Sequence, residues 1–109
     1  MRDGGALGLE IEFKSNHLER SFVESSRAIR QWGSPVGRKY VERVVFIQAA
    51  GSVADLRKAR SLRFHALAGK RLGEYGIMLT GNWRLIVSLP QGEAGSRVRI
   101  EEVVDYHGS

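Results

Sequence analysis

The sequence predicts an α+β fold, a small antiparallel sheet of about four strands with an N-terminal helical hairpin packed on one face. Three observations support this prediction. Apolar and charged residues alternate with a period of two near the start of the chain. The period lengthens to that of a helix over residues 16–50, and alternation returns after Leu62. Strand, helix, helix and then three strands is an order typical of α+β domains.

Length and composition limit the number of domains, the kinds of site and the cellular compartment. With 109 residues, a single domain over residues 1–109 is expected, with residues 1–6 as a flexible start. The chain has no cysteine, which excludes disulfide frameworks and thiolate metal sites and favours a reducing cytoplasm. The N-terminus lacks the apolar core of a signal peptide, and no apolar run approaches the roughly 20 residues of a membrane span. We therefore expect a cytoplasmic protein without a membrane partner.

The net charge is positive. Lys and Arg number 17 against 12 Asp and Glu, a formal charge of +5. A small basic domain favours a nucleic-acid or acidic-protein partner. Charge alone is equally compatible with a soluble basic protein that binds neither.

The first predicted element is a strand over residues 8–14, because three apolar positions alternate with charged ones: Leu9, Ile11 and Phe13. A helix then begins near Asn16, whose side chain can accept from free backbone N–H groups, and ends at Gly33. Its apolar stripe consists of Leu18, Phe22, Ile29 and Trp32.

A second helix begins at Ser34-Pro35, where Ser caps and Pro needs no N–H donor, and ends at Gly51. The residues predicted to face the core are Val36, Tyr40, Val44 and Ile47, and those predicted to face water are Arg38, Lys39, Glu42 and Arg43. A short helical turn is expected over residues 52–59, capped by Ser52 and carrying Leu56.

The remaining elements are strands. Residues 74–79 and 82–89 form a predicted hairpin around Thr80-Gly81, and residues 90–96 form a loop. In the second arm Trp83, Leu85, Val87 and Leu89 share one side, so Arg84 lies on the side away from the helices. Residues 97–105 form the last strand. A bulge near Glu101-Glu102 would restore its alternation.

The residues able to carry out chemistry fall in this second half of the chain: His65, Lys70, Arg71, Arg84, Asp105, Tyr106 and His107. Such a set suits cleavage of RNA by its own 2′-hydroxyl. That reaction needs a proton acceptor, a proton donor and cations for the phosphate, but no metal or other cofactor. Each residue also has a structural alternative. A lone histidine is more often structural, Arg84 can be a solvated arginine, and Tyr106 a half-buried tyrosine on an edge strand.

An ordered set of motifs in this half resembles the HigB-type toxins of the RelE/ParE superfamily. The first motif comprises Leu62, His65, Leu67, Gly69, Arg71, Gly73 and Tyr75. It is followed by Gly81-Asn82-Trp83-Arg84 and by Val104-Asp105-Tyr106-His107. The resemblance is close over residues 62–109. Over the first half of the chain only the order of elements matches.

The resemblance implies a RelE-like fold and a type II toxin that cleaves mRNA in the ribosomal A site. It also implies a neutralising antitoxin, a helix-turn-helix protein of the HigA type, with operator DNA bound only through the toxin–antitoxin complex. The positions that match the family's catalytic residues are His65, Asp105, Tyr106 and His107. Those assigned to substrate or phosphate are Arg84, Arg71, Lys70 and Asn82.

One position departs from the family pattern. Ala68 stands where family members often carry lysine, and Lys70 is the nearest replacement. Two other functions stay open, and Ala68 favours only the second of them. One is non-nucleolytic inhibition of DNA gyrase, as in the ParE branch, which generally lacks the His-rich terminal constellation, so that His65 and His107 favour the nuclease. The other is a member with little activity that acts by binding its antitoxin and DNA.

Overall fold

A computed structural model describes residues 8–106, which form a five-stranded sheet covered on one face by helices. The strands are β1 (Glu10–Phe13), β2 (His65–Ala66), β3 (Glu74–Thr80), β4 (Trp83–Ser88) and β5 (Arg97–Asp105). The helices are α1 (Asn16–Val23), α2 (Ser25–Trp32), α3 (Ser34–Ala49) and α4 (Val53–Lys58). The predicted flexible start, residues 1–6, and His107 lie outside the described residues.

The sheet has the strand order β1-β5-β4-β3-β2. The predicted α+β class is confirmed, with differences in two details. β1 runs parallel to β5, whereas the other neighbouring strands are antiparallel. A parallel pair requires a long connection between its strands, and all the helices and hairpins lie between β1 and β5. The fifth strand, β2, pairs only His65 and Ala66, which is too short to show a period.

The predicted first helix is in fact two helices. Glu24 takes an extended conformation between α1 and α2, where the apolar stripe has a gap and Val23 is 72% exposed. The Ser15 hydroxyl, rather than Asn16, caps α1 by accepting from the Leu18 N–H at 3.2 Å. No helix in the described range is long and apolar enough to cross a bilayer.

Helix α3 is the centre of the helical layer. The predicted inward residues are all buried: Val36, Tyr40, Val44 and Ile47. Arg43 was predicted to face water, and this is wrong, since only 8% of it is exposed. Arg43 lies one residue before Val44 on the side of α3 that meets β3, where two backbone carbonyls accept from its guanidinium. The short helix α4 begins as predicted, with the Ser52 hydroxyl accepting from the Asp55 N–H.

The predicted hairpin and bulge are also present. β3 and β4 are joined at Gly81-Asn82, one residue later than predicted, and the φ of +56° at Gly81 suits glycine. In β5 the register shifts between Ile86 and Val87 of β4, which leaves Glu101 as the extra residue. This bulge lets Ile100 and Val103 both face the helices although they are three positions apart.

Gly37→Ala should lower the free energy of unfolding by about 2 kcal/mol, because a Cβ there would lie 2.7 Å from backbone atoms of Ala28 and Ile29. Helix propensity alone would favour alanine by about 1 kcal/mol. Urea denaturation of Gly37→Ala and of the exposed control Gln48→Ala on the same helix measures this. The control should stay within about 0.5 kcal/mol of the parent. A more stable Gly37→Ala protein would contradict the packing of α2 on α3.

Candidate active site

The face of the sheet that points away from the helices carries three of the predicted site residues, His65, Arg71 and Arg84, and we call it the open face. Strand pairing sets three of its positions side by side, since His65 pairs with Gly76 and Gly76 pairs with Ile86. Ile86 in turn pairs with Glu102. One row across the sheet therefore runs His65, Gly76, Ile86, Glu102. The neighbouring row, towards the β3–β4 turn, runs Met78, Arg84, Val104.

His65 is held in a defined orientation. Its Nδ1 lies 2.7 Å from the carbonyl oxygen of Arg63. Because a carbonyl only accepts, Nδ1 carries the proton, and the neutral ring presents an unprotonated Nε2. The ring lies against Gly76, where a Cβ would be 3.2 Å from His65 Cε1. The imidazole is exposed and no other described residue hydrogen-bonds it, so Nε2 is available to a substrate.

The Arg63 carbonyl that orients His65 is placed there by an unusual backbone conformation of Arg63. Arg63 is the non-glycine residue with a positive φ in the described range, at φ 49° and ψ 43°. This left-handed conformation is unfavourable for residues with a Cβ and persists where the surroundings impose it. Arg63 follows the 3₁₀ turn Arg60–Leu62, whose Leu62 side chain is buried.

The floor beside His65 is apolar. Ile86 is fully buried and Leu67 nearly so, yet neither belongs to the main core between sheet and helices. The Leu67 side chain also approaches Gly76. This apolar base excludes water from one side of the imidazole.

Arg71 forms an ion-pair cluster on the open face. Its Nη1 donates to Glu74 Oε1 at 2.9 Å and its Nη2 to Glu102 Oε2 at 2.6 Å. The hydrogen bond with Glu102 raises the pKa of the Arg71 guanidinium above its ordinary value. Arg71 therefore stays charged, but its guanidinium is already ion-paired with the carboxylates of Glu74 and Glu102. Further along β5, Arg97 and Arg99 alternate with Glu10, Glu12 and Glu101 in a ladder of ion pairs.

Arg84 is differently placed. Its Nη1 donates to the carbonyl oxygens of Gly81 and Trp83, at 2.8 and 3.0 Å, so the guanidinium bends towards the β3–β4 turn. Within residues 8–106 no carboxylate pairs with it. Its Nε and Nη2 hydrogens remain available. Arg84 is thus a cation of the open face whose charge no carboxylate among residues 8–106 neutralises.

The end of the chain lies beside the same turn. The Tyr106 N–H donates to the carbonyl oxygen of Asn82 at 2.8 Å, and both side chains are exposed. Asp105 pairs with Trp83, so in the alternation of β5 it takes the core side rather than the side of Arg84. His107 lies outside the described residues.

Two further positions lie in the loop after β2. Lys70 is exposed in the 3₁₀ turn Gly69–Arg71, and Ala68 is the exposed residue that precedes this turn. Within the described range no carboxylate pairs with Lys70. Lys70 therefore lies on the chain segment that links His65 to Arg71, with its charge accessible.

Sequence reasoning missed several residues around His65: Arg43, Arg63, Glu74, Gly76 and Glu102. The predicted bulge would have identified Glu102 as a residue of the open face, since the extra residue Glu101 turns Glu102 to the side of Ile86. Gly76 is a glycine in an otherwise apolar strand, which is a sign of close approach by another group. The left-handed conformation of Arg63 could not be predicted from the sequence, because arginine is not a residue type that favours it.

Other features do not coincide with this face. A cavity of about 260 Å³ lies between the start of α3 and the end of β3, lined by Pro35, Arg38, Lys39, Glu42 and Thr80. It contains none of the predicted site residues. Among the described residues, no group of three or more His, Asp or Glu side chains is arranged to hold a metal ion.

We expect long-range ¹H–¹⁵N NMR spectra of the neutral His65 ring to show a protonated Nδ1 and an unprotonated Nε2, because the Arg63 carbonyl accepts from Nδ1. His17 is the internal comparison, since its ring makes an edge contact with Trp32 and no hydrogen bond among residues 8–106 favours either tautomer. A His65 spectrum dominated by the Nε2–H tautomer would contradict the orientation described above.

Comparisons with known proteins agree with the fold. YafQ from E. coli strain BL21(DE3) superimposes with a TM-score of 0.56 at 14% identity, over 89% of this chain and 92% of YafQ. A YoeB/ParE toxin from Agrobacterium tumefaciens gives 0.54 at 9% identity, over 91% and 100%. The YoeB–YefM complex from Staphylococcus aureus gives 0.51 at 16% identity, over 91% and 97%. At these identities the likeness establishes the fold alone.

The sequence comparisons establish the family. No curated protein matches the chain. A family model described as the RelE-like toxin of the type II toxin–antitoxin system HigB matches residues 11–107, which is most of the chain. The match includes β1 and the helices, where the sequence motifs were weak, as well as the segment that carries His65. The chain belongs to the HigB-like, RelE-like toxins of type II toxin–antitoxin systems.

Proposed function

We propose that this toxin is a ribosome-dependent endoribonuclease that cleaves mRNA in the A site and so inhibits translation and growth. The observation that carries the proposal is the presentation of His65 Nε2 on the open face. Its other nitrogen is engaged by the Arg63 carbonyl, and a glycine beneath the ring leaves room for it. An exposed imidazole with one fixed nitrogen is suited to proton transfer near neutral pH.

The proposed reaction uses a nucleophile from the RNA itself. His65 Nε2 takes the proton of the 2′-hydroxyl, whose oxygen attacks the adjacent phosphorus. The bond from phosphorus to the 5′-oxygen of the next nucleotide breaks, and that oxygen accepts a proton from the enzyme. The products are a 2′,3′-cyclic phosphate and a 5′-hydroxyl. The proton balance requires no metal ion.

The proton donor is assigned to the end of the chain. Asp105, Tyr106 and His107 match the catalytic positions of the family motif, and His107 has the side chain best able to donate near pH 7. Tyr106 is exposed beside the β3–β4 turn, where it can stack on a base or donate to phosphate. The role assigned to the Asp105 carboxylate is to stabilise the protonated form of a neighbouring group or to orient that group.

The phosphate contacts are assigned by the charges that remain accessible. Arg84 has free guanidinium hydrogens and no carboxylate partner among the described residues, so it can form the bidentate contact that phosphate favours. Lys70 contributes a second accessible cation in place of the lysine absent at Ala68. Arg71 must leave Glu74 or Glu102 to bind phosphate directly, and it acts mainly by balancing their charges. Asn82 lies at the same turn as Arg84.

The proposed partners follow from the family. A cognate antitoxin, a helix-turn-helix protein of the HigA type, neutralises the toxin, and the complex rather than the toxin alone binds operator DNA. The ribosome and mRNA are the other partners, which places the action of the toxin in the cytoplasm. One of the structural neighbours is itself a YoeB–YefM complex.

Expression without antitoxin should arrest growth and produce mRNA cuts in phase with codons. His65→Ala, His107→Ala and Arg84→Ala should each relieve the arrest at equal protein level. Loss of a general acid or base lowers cleavage by about 10²-fold or more. Growth curves and mapping of transcript 5′ ends measure both effects. His17→Ala is the matched control, since His17 is an exposed histidine on α1 and should leave toxicity intact.

The same experiment separates the alternatives. Undiminished arrest by His65→Ala and His107→Ala would contradict the nuclease mechanism. DNA damage without mRNA cuts would indicate gyrase inhibition of the ParE kind. Normal growth with intact mRNA would indicate a member that acts by binding its antitoxin.

A further inference from the structure

Arg43 is a buried cation held only by backbone carbonyls in the described part of the chain. Its Nε donates to the Met78 oxygen at 2.9 Å and its Nη2 to the Ser61 oxygen at 3.2 Å. Only 8% of the residue is exposed, whereas Arg38 and Glu42 on the same helix are exposed. Burial of a guanidinium is unfavourable, and an apolar side chain in such a place is often equally stabilising. Stability alone therefore does not explain arginine at this position.

The two carbonyls belong to the two chain segments that define the position of His65. Met78 follows Gly76 by two residues on β3, and the His65 ring lies against Gly76. Ser61 lies in the 3₁₀ turn Arg60–Leu62, four residues before His65. One rigid, planar guanidinium therefore fixes the spacing between the strand under the imidazole and the segment that leads into it.

The strained residue Arg63 lies between these anchors. Its left-handed conformation places its own carbonyl on His65 Nδ1. Such a conformation persists only where neighbouring contacts impose it. The buried Leu62 side chain and the bond from Arg43 to Ser61 fix the turn before Arg63, and the pairing of His65 with Gly76 fixes the strand after it.

We propose that Arg43 is a positioning residue for His65. It acts from the opposite side of the sheet, through Ser61 and Arg63, and it touches neither RNA nor the reacting atoms. The catalytic consequence rests on the proposed nuclease function, whereas the effect on the imidazole does not. Lysine at position 43 keeps the charge but lacks the two-donor fork, so it should restore the arrangement only in part.

NMR of the His65 ring tests the positioning without any assay of activity. Arg43→Met should replace the single Nδ1–H tautomer by a mixture, while amide signals of β4 and β5 keep their positions. Arg43→Lys should give an intermediate spectrum. Arg38→Met is the matched control, since it removes the same charge from an exposed position of α3 and should leave His65 unchanged.

An unchanged His65 spectrum in a folded Arg43→Met protein would overturn the proposal. If Arg43→Met does not fold, Arg43→Lys decides, and a His65 spectrum identical to that of the parent would overturn it equally.

Cleavage of mRNA on programmed ribosomes tests the catalytic consequence. Arg43→Met should lower kcat by about tenfold or more, as expected from a small displacement of a catalytic group, and leave KM for ribosomes unchanged. In a His65→Ala background it should cause no further loss. An equal loss in both backgrounds would show that Arg43 does not act through His65. If the parent protein cleaves no mRNA, the proposed function fails, and the NMR result alone decides the role of Arg43.

Discussion

The two-residue period of β4 is the constraint on which both the core and the candidate site depend. Leu85 and Val87 are fully buried against the helices, and Arg84 and Ser88 alternate with them on the other side. β4 lies at the centre of the sheet and its pairing with β3 and β5 sets the register of both. A shift of one residue would bring Arg84 into the core and expose Leu85 to water. The free energy that maintains the core therefore also maintains the position of the site.

The bulge at Glu101 determines which side chains of β5 face the helices and which face the open side. Without the extra residue, Val103 would leave the helical layer, and Glu102 would no longer face Arg71. The bulge also turns Asp105 towards the side of Trp83. The open face consequently combines an apolar floor at Ile86, a neutralised cluster around Arg71 and an accessible cation at Arg84. Since Arg71, Arg97 and Arg99 are all paired with carboxylates, most of this face attracts phosphate weakly, and attraction concentrates near the β3–β4 turn.

Features that depend on neighbouring residues in the chain could be predicted from the sequence, and features that depend on contacts between distant residues could not. Periodicity identified the strands, the inward residues of α3 and the bulge, because these patterns are local. It missed the break at Glu24, where the signal is only a gap in an apolar stripe, and the two-residue strand β2. The burial of Arg43 was mispredicted because its partners lie 18 and 35 residues away in the chain. The family motif indicated His65 as a candidate, whereas the contacts that orient its ring depend on tertiary structure.

The central claim is that the RNA provides its own nucleophile to a base on the open face. Its most direct test is cleavage of ribosome-bound mRNA in which one 2′-hydroxyl, at the scissile nucleotide of the A-site codon, is replaced by hydrogen. With this mechanism the deoxy substrate should bind but not be cut, and the unmodified mRNA should yield a 2′,3′-cyclic phosphate and a 5′-hydroxyl. Cleavage of the deoxy substrate at an undiminished rate would contradict it.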